Sequence, residues 1–270
     1  MRLFRLLALS GLLLGLSTSG LLADSFTSVV SFGDSLSDTG NVFTATQGQV
    51  PPAPPYANGE WSNGSIWLER LTSQLGLPTP VPVLAGGSNY AFGYAETGSG
   101  QIDTPVPGLS VPNLGAQIGL YFSSGSVIGP ETLFVLWCGA NDFFDGQTDP
   151  SVPVANVAAG ITQLALAGGQ SFLVVNLPLI GETPALKNTP FEDDFNILCS
   201  AYNTLLSATE DDLEATLGIQ ILRLDVAALL QQVVDDPGSF GLSNVTDPAL
   251  DPNTGAVVAN PDEYLFWDPV

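Results

Sequence analysis

The stretch Ser-Phe-Gly-Asp-Ser-Leu-Ser-Asp-Thr-Gly-Asn, residues 31–41, follows a short apolar run, and within it Ser35 sits in the setting of a nucleophile. A serine hydroxyl attacks a carbonyl carbon efficiently only when a neighbouring base takes its proton. The chain contains no histidine, so the usual acceptor is missing from all 270 residues. Two further positions share the location of Ser35 relative to an apolar run. Gly93 follows the run at residues 90–92 and Asn141 comes soon after the run at residues 132–137.

The elements that must hold these residues follow from the hydrophobic pattern. Residues 28–32, 90–92, 132–137, 172–176 and 220–224 are short and almost continuously apolar, as parallel strands covered on both faces are. Between them, Ile66, Leu68, Leu71 and Leu75 mark one helix and Leu114, Ile118 and Tyr121 a second. Val154, Val157, Ile161 and Leu164 form one stripe of a third, and a fourth runs over 191–217 to a terminating Gly218. Strands alternating with helices predict an α/β fold, a central parallel sheet between two helical layers. Ligands of such sheets sit beyond the carboxyl ends of the strands, the edge on which Ser35, Gly93 and Asn141 all fall. Two segments, 47–55 and 235–261, carry no clear period and read as loops near a site or excursions from the core; no domain boundary or internal repeat stands out.

Taken singly, each candidate also has a purely structural reading. Ser35 would be a helix N-cap in a capping pattern with Asp38, Gly93 a point of close packing, and Asn141 with Asp142 an ordinary turn. Asp34 and Asp38 read as local backbone-bonding groups rather than catalysts. Trp61, Trp67, Phe143 and Phe144 either flank an acyl pocket or belong to the aromatic core.

The blocks themselves carry a resemblance. "FGDSLSDTGN" resembles the first signature block of the GDSL, or SGNH, family of ester hydrolases, "SNYAFGYAE" its glycine block, "GAND" its asparagine block and "YLFWD" the opening of its last block. "WSNGSIWLERL" and "DPGSFGLSNVTDP" are similar to intervening segments, so the likeness covers most of residues 27–268. It implies the flavodoxin-like, three-layer α/β/α sandwich of SGNH hydrolases. It also implies that Ser35 is the nucleophile, with its own N–H, the Gly93 N–H and the Asn141 amide as an oxyanion hole. Preorganised donors of that kind are worth roughly 3–4 kcal/mol each on mutation. Glu60 departs from the pattern, since many relatives carry a basic residue there.

The family's last block resembles Asp-x-x-His, in which the aspartate orients the histidine that deprotonates the serine. Here it reads Asp268, Pro269, Val270, and the given sequence stops one residue before that histidine. Asp268 itself, with an ordinary carboxyl pKa of about 4, is too weak a base to replace it. The expectation is therefore a C-terminally incomplete hydrolase, impaired in the 270-residue form. The resemblance implies a carboxylic ester hydrolase working through an ester on Ser35, with no cofactor and a small-molecule or lipid ester as substrate; a monomer is expected. The alternatives are a catalytically dead domain binding an acyl or carbohydrate ligand, and a surface or adhesion protein that retains the scaffold.

Bulk properties narrow the setting. Arg2 and Arg5, the apolar run 6–16 and the small residues up to Ala23 form a secretory signal peptide over 1–23, with a retained membrane anchor as the rival reading, and leave 24–270 as one hydrolase domain. Past residue 23 only Arg70, Lys187 and Arg223 are basic, against all 27 acidic residues. Such a surface repels phosphate backbones and anionic headgroups, which excludes nucleic acid as a partner. Cys138 and Cys199 read as separate buried thiols rather than a disulfide, and with no histidine and no cysteine pair at ligand spacing no metal site is expected.

Overall fold

A computed structural model of the chain describes residues 26–270; the expected signal peptide at 1–23 lies outside the described residues. Four parallel strands form the central sheet. β1 (Ser28–Gly33) is its first member; a short antiparallel hairpin of β2 (Gln101–Asp103) and β3 (Ser110–Pro112) stands apart; β4 (Thr132–Trp137), β5 (Ser171–Val175) and β6 (Gln220–Leu224) complete it in the order β1-β4-β5-β6. A second small pair joins β7 (Asn244–Pro248) to β8 (Tyr264–Phe266).

The helices are α1 (Asn41–Ala45), α2 (Trp67–Gln74), α3 (Leu114–Ser123), α4 (Ala140–Phe144), α5 (Ser151–Leu166), α6 (Glu192–Leu217) and α7 (Val226–Asp235). Every residue of β4 is buried, and its alternating side chains meet two different layers. Phe134 meets the Tyr121 ring of α3 edge-on at 5.8 Å, and Leu136 lies beside Gly160 of α5, where Ile118 also packs. On the opposite face Trp137 meets Trp67 of α2 edge-on at 5.4 Å. The α/β three-layer arrangement follows from those contacts. Val154, Val157, Ile161 and Leu164 of α5 are all buried, and α6 ends on Gly218 at φ 66°, a left-handed cap that glycine adopts without strain.

Two expectations needed correction, and one element was not anticipated. The run 90–92 is not a ladder strand: it lies along β1 through an isolated bridge from Ser31 to Asn89 and the backbone bonds Tyr90 N–H to Ser31 (2.7 Å) and Phe92 N–H to Gly33 (3.1 Å). The Asn89 side chain accepts the Ala91 N–H at 2.8 Å and the Asn41 amide donates to the carbonyls of Asn89 and Ala91, so side chains take groups a regular ladder would use. Segment 235–261 is partly ordered, holding a 3-10 turn at Pro237–Phe240 and the strand β7. Helix α7, capped by Asp225 accepting the Ala228 N–H, is an element the hydrophobic pattern had not separated. Both cysteines are free and buried, as expected. Among the described residues no helix is long and apolar enough to cross a membrane.

Candidate active site

The site is built on the carboxyl ends of β1 and β4, which pair in register up to Gly33 and Trp137. Gly33 has φ +149°, and a Cβ there would come 2.1 Å from the Trp137 carbonyl oxygen, so only glycine lets the two strand ends close together. The buried Gln117 of α3 accepts from the Gly33 N–H at 2.9 Å and donates to its carbonyl at 2.8 Å. The chain then turns tightly. Asp34 N–H still bonds Trp137, Ser37 and Asp38 N–H return to the Asp34 carbonyl, and the Asp34 carboxyl accepts from Leu36 N–H at 3.0 Å. Ser35 stands at the apex of this turn, half-buried, and among the described residues neither its N–H nor its hydroxyl is in a hydrogen bond. It is not an N-cap: α1 begins after Gly40, and Asp38 supplies the acceptors at that helix start.

Asp38 is fully buried and holds four backbone N–H groups, those of Gly40 (2.8 Å), Asn41 (2.6 Å), Val42 (3.2 Å) and Gly93 (3.0 Å). This carboxyl ties the Ser35 turn to the Gly93 turn. The residue at 93 is glycine because the Trp61 indole lies against it, 2.6 Å from where a Cβ would stand. Its N–H is engaged by Asp38, so service to an oxyanion requires that bond to be shared or released. Asn89 completes the tie by donating to the Ser37 carbonyl at 2.6 Å and to Thr39 at 2.9 Å.

Past β4, the five residues of α4 start after Gly139. Asn141 is half-buried and one of its amide hydrogens goes to the Ala95 carbonyl at 2.8 Å, which leaves the second free to act on a ligand. Next to it the buried Asp142 accepts from both the N–H (3.0 Å) and the hydroxyl (2.6 Å) of Thr97. Ser35, Gly93 and Asn141 thus share one edge of the sheet, with Asp34 and Asp142 close enough for their charges to interact.

Asp268 follows β8 and reaches this region through aromatic rings. Its carboxyl accepts from the Tyr56 hydroxyl at 2.7 Å and from Val270 N–H at 3.2 Å. Tyr56 packs edge-on against Trp61 (6.2 Å) and Trp267 (6.0 Å), and Trp61 against Tyr94 (5.0 Å). Asp268 therefore connects to Gly93 by way of Tyr56 and Trp61 and makes no hydrogen bond to Ser35 among the described residues. Of the four aromatic candidates, Trp67 and Phe143 are core, while Trp61 borders the site and Phe144 is exposed against Phe195.

Burial dominates the electrostatics. It pushes the Asp34 carboxyl up to about 7, with the Asp142 and Asp38 charges adding to it and the Leu36 N–H opposing. Glu60, also buried, is raised to about 8 by burial and by the charges of Glu69 and Asp38; Glu96 rises to about 7 through burial, Asp142 and Asp145. Asp268 is raised by burial, against the pull of the Tyr56 hydroxyl. Both thiols are pushed up by burial, so neither is a ready nucleophile. A cavity of about 410 Å³ lies between α6 and β6, lined by Asn176, Asn203, Glu210, Arg223 and Asp225; none of its lining residues belongs to the Ser35 turn.

Sequence reasoning missed Tyr56, Gln117 and the Asp142–Thr97 pair. Only Gln117 leaves a local signal, a polar residue three positions after Leu114 on the buried stripe of α3.

Comparison with known proteins bears on this arrangement. The chain is 28% identical over 223 residues to a phosphatidylcholine-sterol acyltransferase of Aeromonas hydrophila, covering 81% of this chain and 64% of that protein. It is 28% identical over 265 residues to a thermolabile hemolysin of Vibrio parahaemolyticus, covering 91% and 60%. An inactive GDSL esterase/lipase-like protein of Arabidopsis thaliana matches at 25% identity, covering 88% and 66%. The chain thus spans less than two thirds of the length of the first two relatives. A solved carbohydrate acetylesterase from Sinorhizobium meliloti overlaps at 15% identity and a TM-score of 0.46, over 78% of this chain and 98% of that one. The GDSL-like lipase/acylhydrolase family matches residues 29–264, and with that span the chain belongs to this family of ester hydrolases.

Proposed function

We propose that the chain is a secreted carboxylic ester hydrolase in which Ser35 Oγ attacks the ester carbonyl carbon. The Oγ–C bond forms as the hydroxyl proton passes to a base such as imidazole from the buffer, the carbonyl oxygen becomes an oxyanion, and collapse of this intermediate hands that proton to the departing alcohol and leaves an acyl ester on Ser35. Water then attacks the acyl carbon, releasing the carboxylic acid and returning the hydroxyl. The oxyanion is served by the Ser35 N–H and the free amide hydrogen of Asn141, with Gly93 N–H joining when Asp38 shares it. The observation that carries the reading is Ser35 at the apex of its turn with its N–H unengaged, on the same sheet edge as Asn141.

The 270 residues hold no imidazole to take the Ser35 proton. On this reading the chain hydrolyses p-nitrophenyl acetate slowly, imidazole in the buffer accelerates it beyond the rate that imidazole gives without protein, and Ser35→Ala removes that excess. Loss of a triad member in serine hydrolases leaves only about 10³–10⁴ over water, which sets the scale of the unassisted rate. Equal imidazole-dependent rates in the Ser35→Ala protein would end the proposal. Ligand-binding without turnover is the second reading, favoured by Asp38's hold on Gly93; acyl-ester binding with no imidazole response would support it. Export rests on the charged, apolar and small-residue pattern of 1–23, and the mass of protein recovered outside the cytoplasm is expected to start at Asp24, whereas a mass retaining Met1 would refute cleavage there.

A further inference from the structure

We propose that Asp142 and Thr97 are positioning residues that set the direction of the Asn141 amide; this rests on the ester-hydrolase reading above. A five-residue helix such as α4 is too short to hold its own orientation, since isolated helices shorter than about 12 residues are marginal. Asn141 is instead anchored outside its helix, by one amide hydrogen on the Ala95 carbonyl. That bond restricts the direction of the second hydrogen, because the two N–H bonds of a planar amide diverge at a set angle.

Ala95 is in turn held from α4 itself. Two residues on, Thr97 gives both its N–H and its hydroxyl to the Asp142 carboxyl, and its hydroxyl accepts from the Asn156 amide of α5 at 3.0 Å. Glu96 N–H donates to Asn113 and its carbonyl accepts from Leu114 N–H at the start of α3. Asp142 is 7% exposed and Thr97 1%, so water does not compete well for these bonds. The loop and α4 therefore brace each other: Asn141 leans on Ala95, and Asp142 keeps Ala95 in place. Misplacement of a reacting group by about 1 Å can cost 10²-fold in rate, so this brace matters even though it lies off the reacting atoms.

Thr97→Val removes the hydroxyl while keeping shape and the backbone N–H, and Thr97→Ser restores the hydroxyl. In imidazole-supported hydrolysis, Thr97→Val is expected to lower kcat about tenfold with KM held within about twofold, Thr97→Ser to recover most of it, and Thr97→Val to cost nothing further once Asn141 is alanine. The side-chain amide resonances of Asn141 should shift in Thr97→Val and stay in place in Thr97→Ser, a readout that needs no turnover. Additive losses in the cycle, or unmoved Asn141 resonances, overturn the proposal. If imidazole supports no hydrolysis in the parent chain, the ester-hydrolase reading fails while the resonances still decide the brace.

Discussion

At the β1–β4 end of the sheet Asp34, Asp38 and Asp142 are buried and none of the ion pairs among the described residues reaches them, whereas at the β6 end the buried Glu210 sits 3.0 Å from the Arg223 guanidinium. Arg223 also serves Asp211 and Glu214, each at 2.7 Å, and so gathers three carboxylates at one place. The difference teaches how an acid-rich chain places its carboxylates. A cation neutralises charge with little demand on backbone geometry, which suits a helix packed on a strand. Four N–H groups offset part of the cost of burying Asp38, whose carboxyl burial still raises, only if the loops carrying them have one conformation, which suits turns that must hold Ser35 and Gly93.

The contrast is broken most directly at Asp38. Asp38→Ala strands the N–H groups of Gly40, Asn41, Val42 and Gly93, and we expect a loss of about 3–5 kcal/mol in urea unfolding. A loss below about 1 kcal/mol would mean that water replaces the carboxyl and that the loops do not depend on it. The β6 end should respond less. Arg223→Met is expected to cost about 1–2 kcal/mol at pH 8, under the usual figure for breaking a buried pair because the guanidinium is 37% exposed and Glu210 can hold a proton.

That second effect is pH-linked. Burial raises the Glu210 carboxyl to about 7 against the pull of Arg223, so the folded protein keeps a proton there that the unfolded chain has lost above about 4.5. The contribution is favourable at low pH and is lost as pH rises through 7. Without Arg223 the carboxyl rises further, and the cost of Arg223→Met should shrink at pH 5. Equal losses in urea melts at pH 5 and pH 8 would show that Glu210 stays ionised and that the two ends of the sheet handle charge alike.

Much of the scaffold was legible because its signals are local. The Val154, Val157, Ile161 and Leu164 stripe and the continuous apolar run of β4 are periodic patterns that burial alone imposes. The run at 90–92 misled because Asn89 and Asn41 divert its backbone groups, a competition that apolar patterning does not register. Helix α7 lay hidden because its apolar residues follow β6 after a single capping residue, Asp225. In the site, Ser35 and Asn141 stood out by type and by place after a strand. The Tyr56 hydroxyl on Asp268 could not, since 212 residues separate them.

The order of elements, the edge on which Ser35, Gly93 and Asn141 gather, the scarcity of cations and the lack of any imidazole follow from the amino acids read in a line, because periodicity and strand-end position are properties of neighbours in the chain. Which donors stay free was decided only in three dimensions. Gly93 is occupied by Asp38, one hydrogen of Asn141 by Ala95, and Asp268 by Tyr56, each by a hydrogen bond between residues distant in sequence whose directions only the packed loops determine.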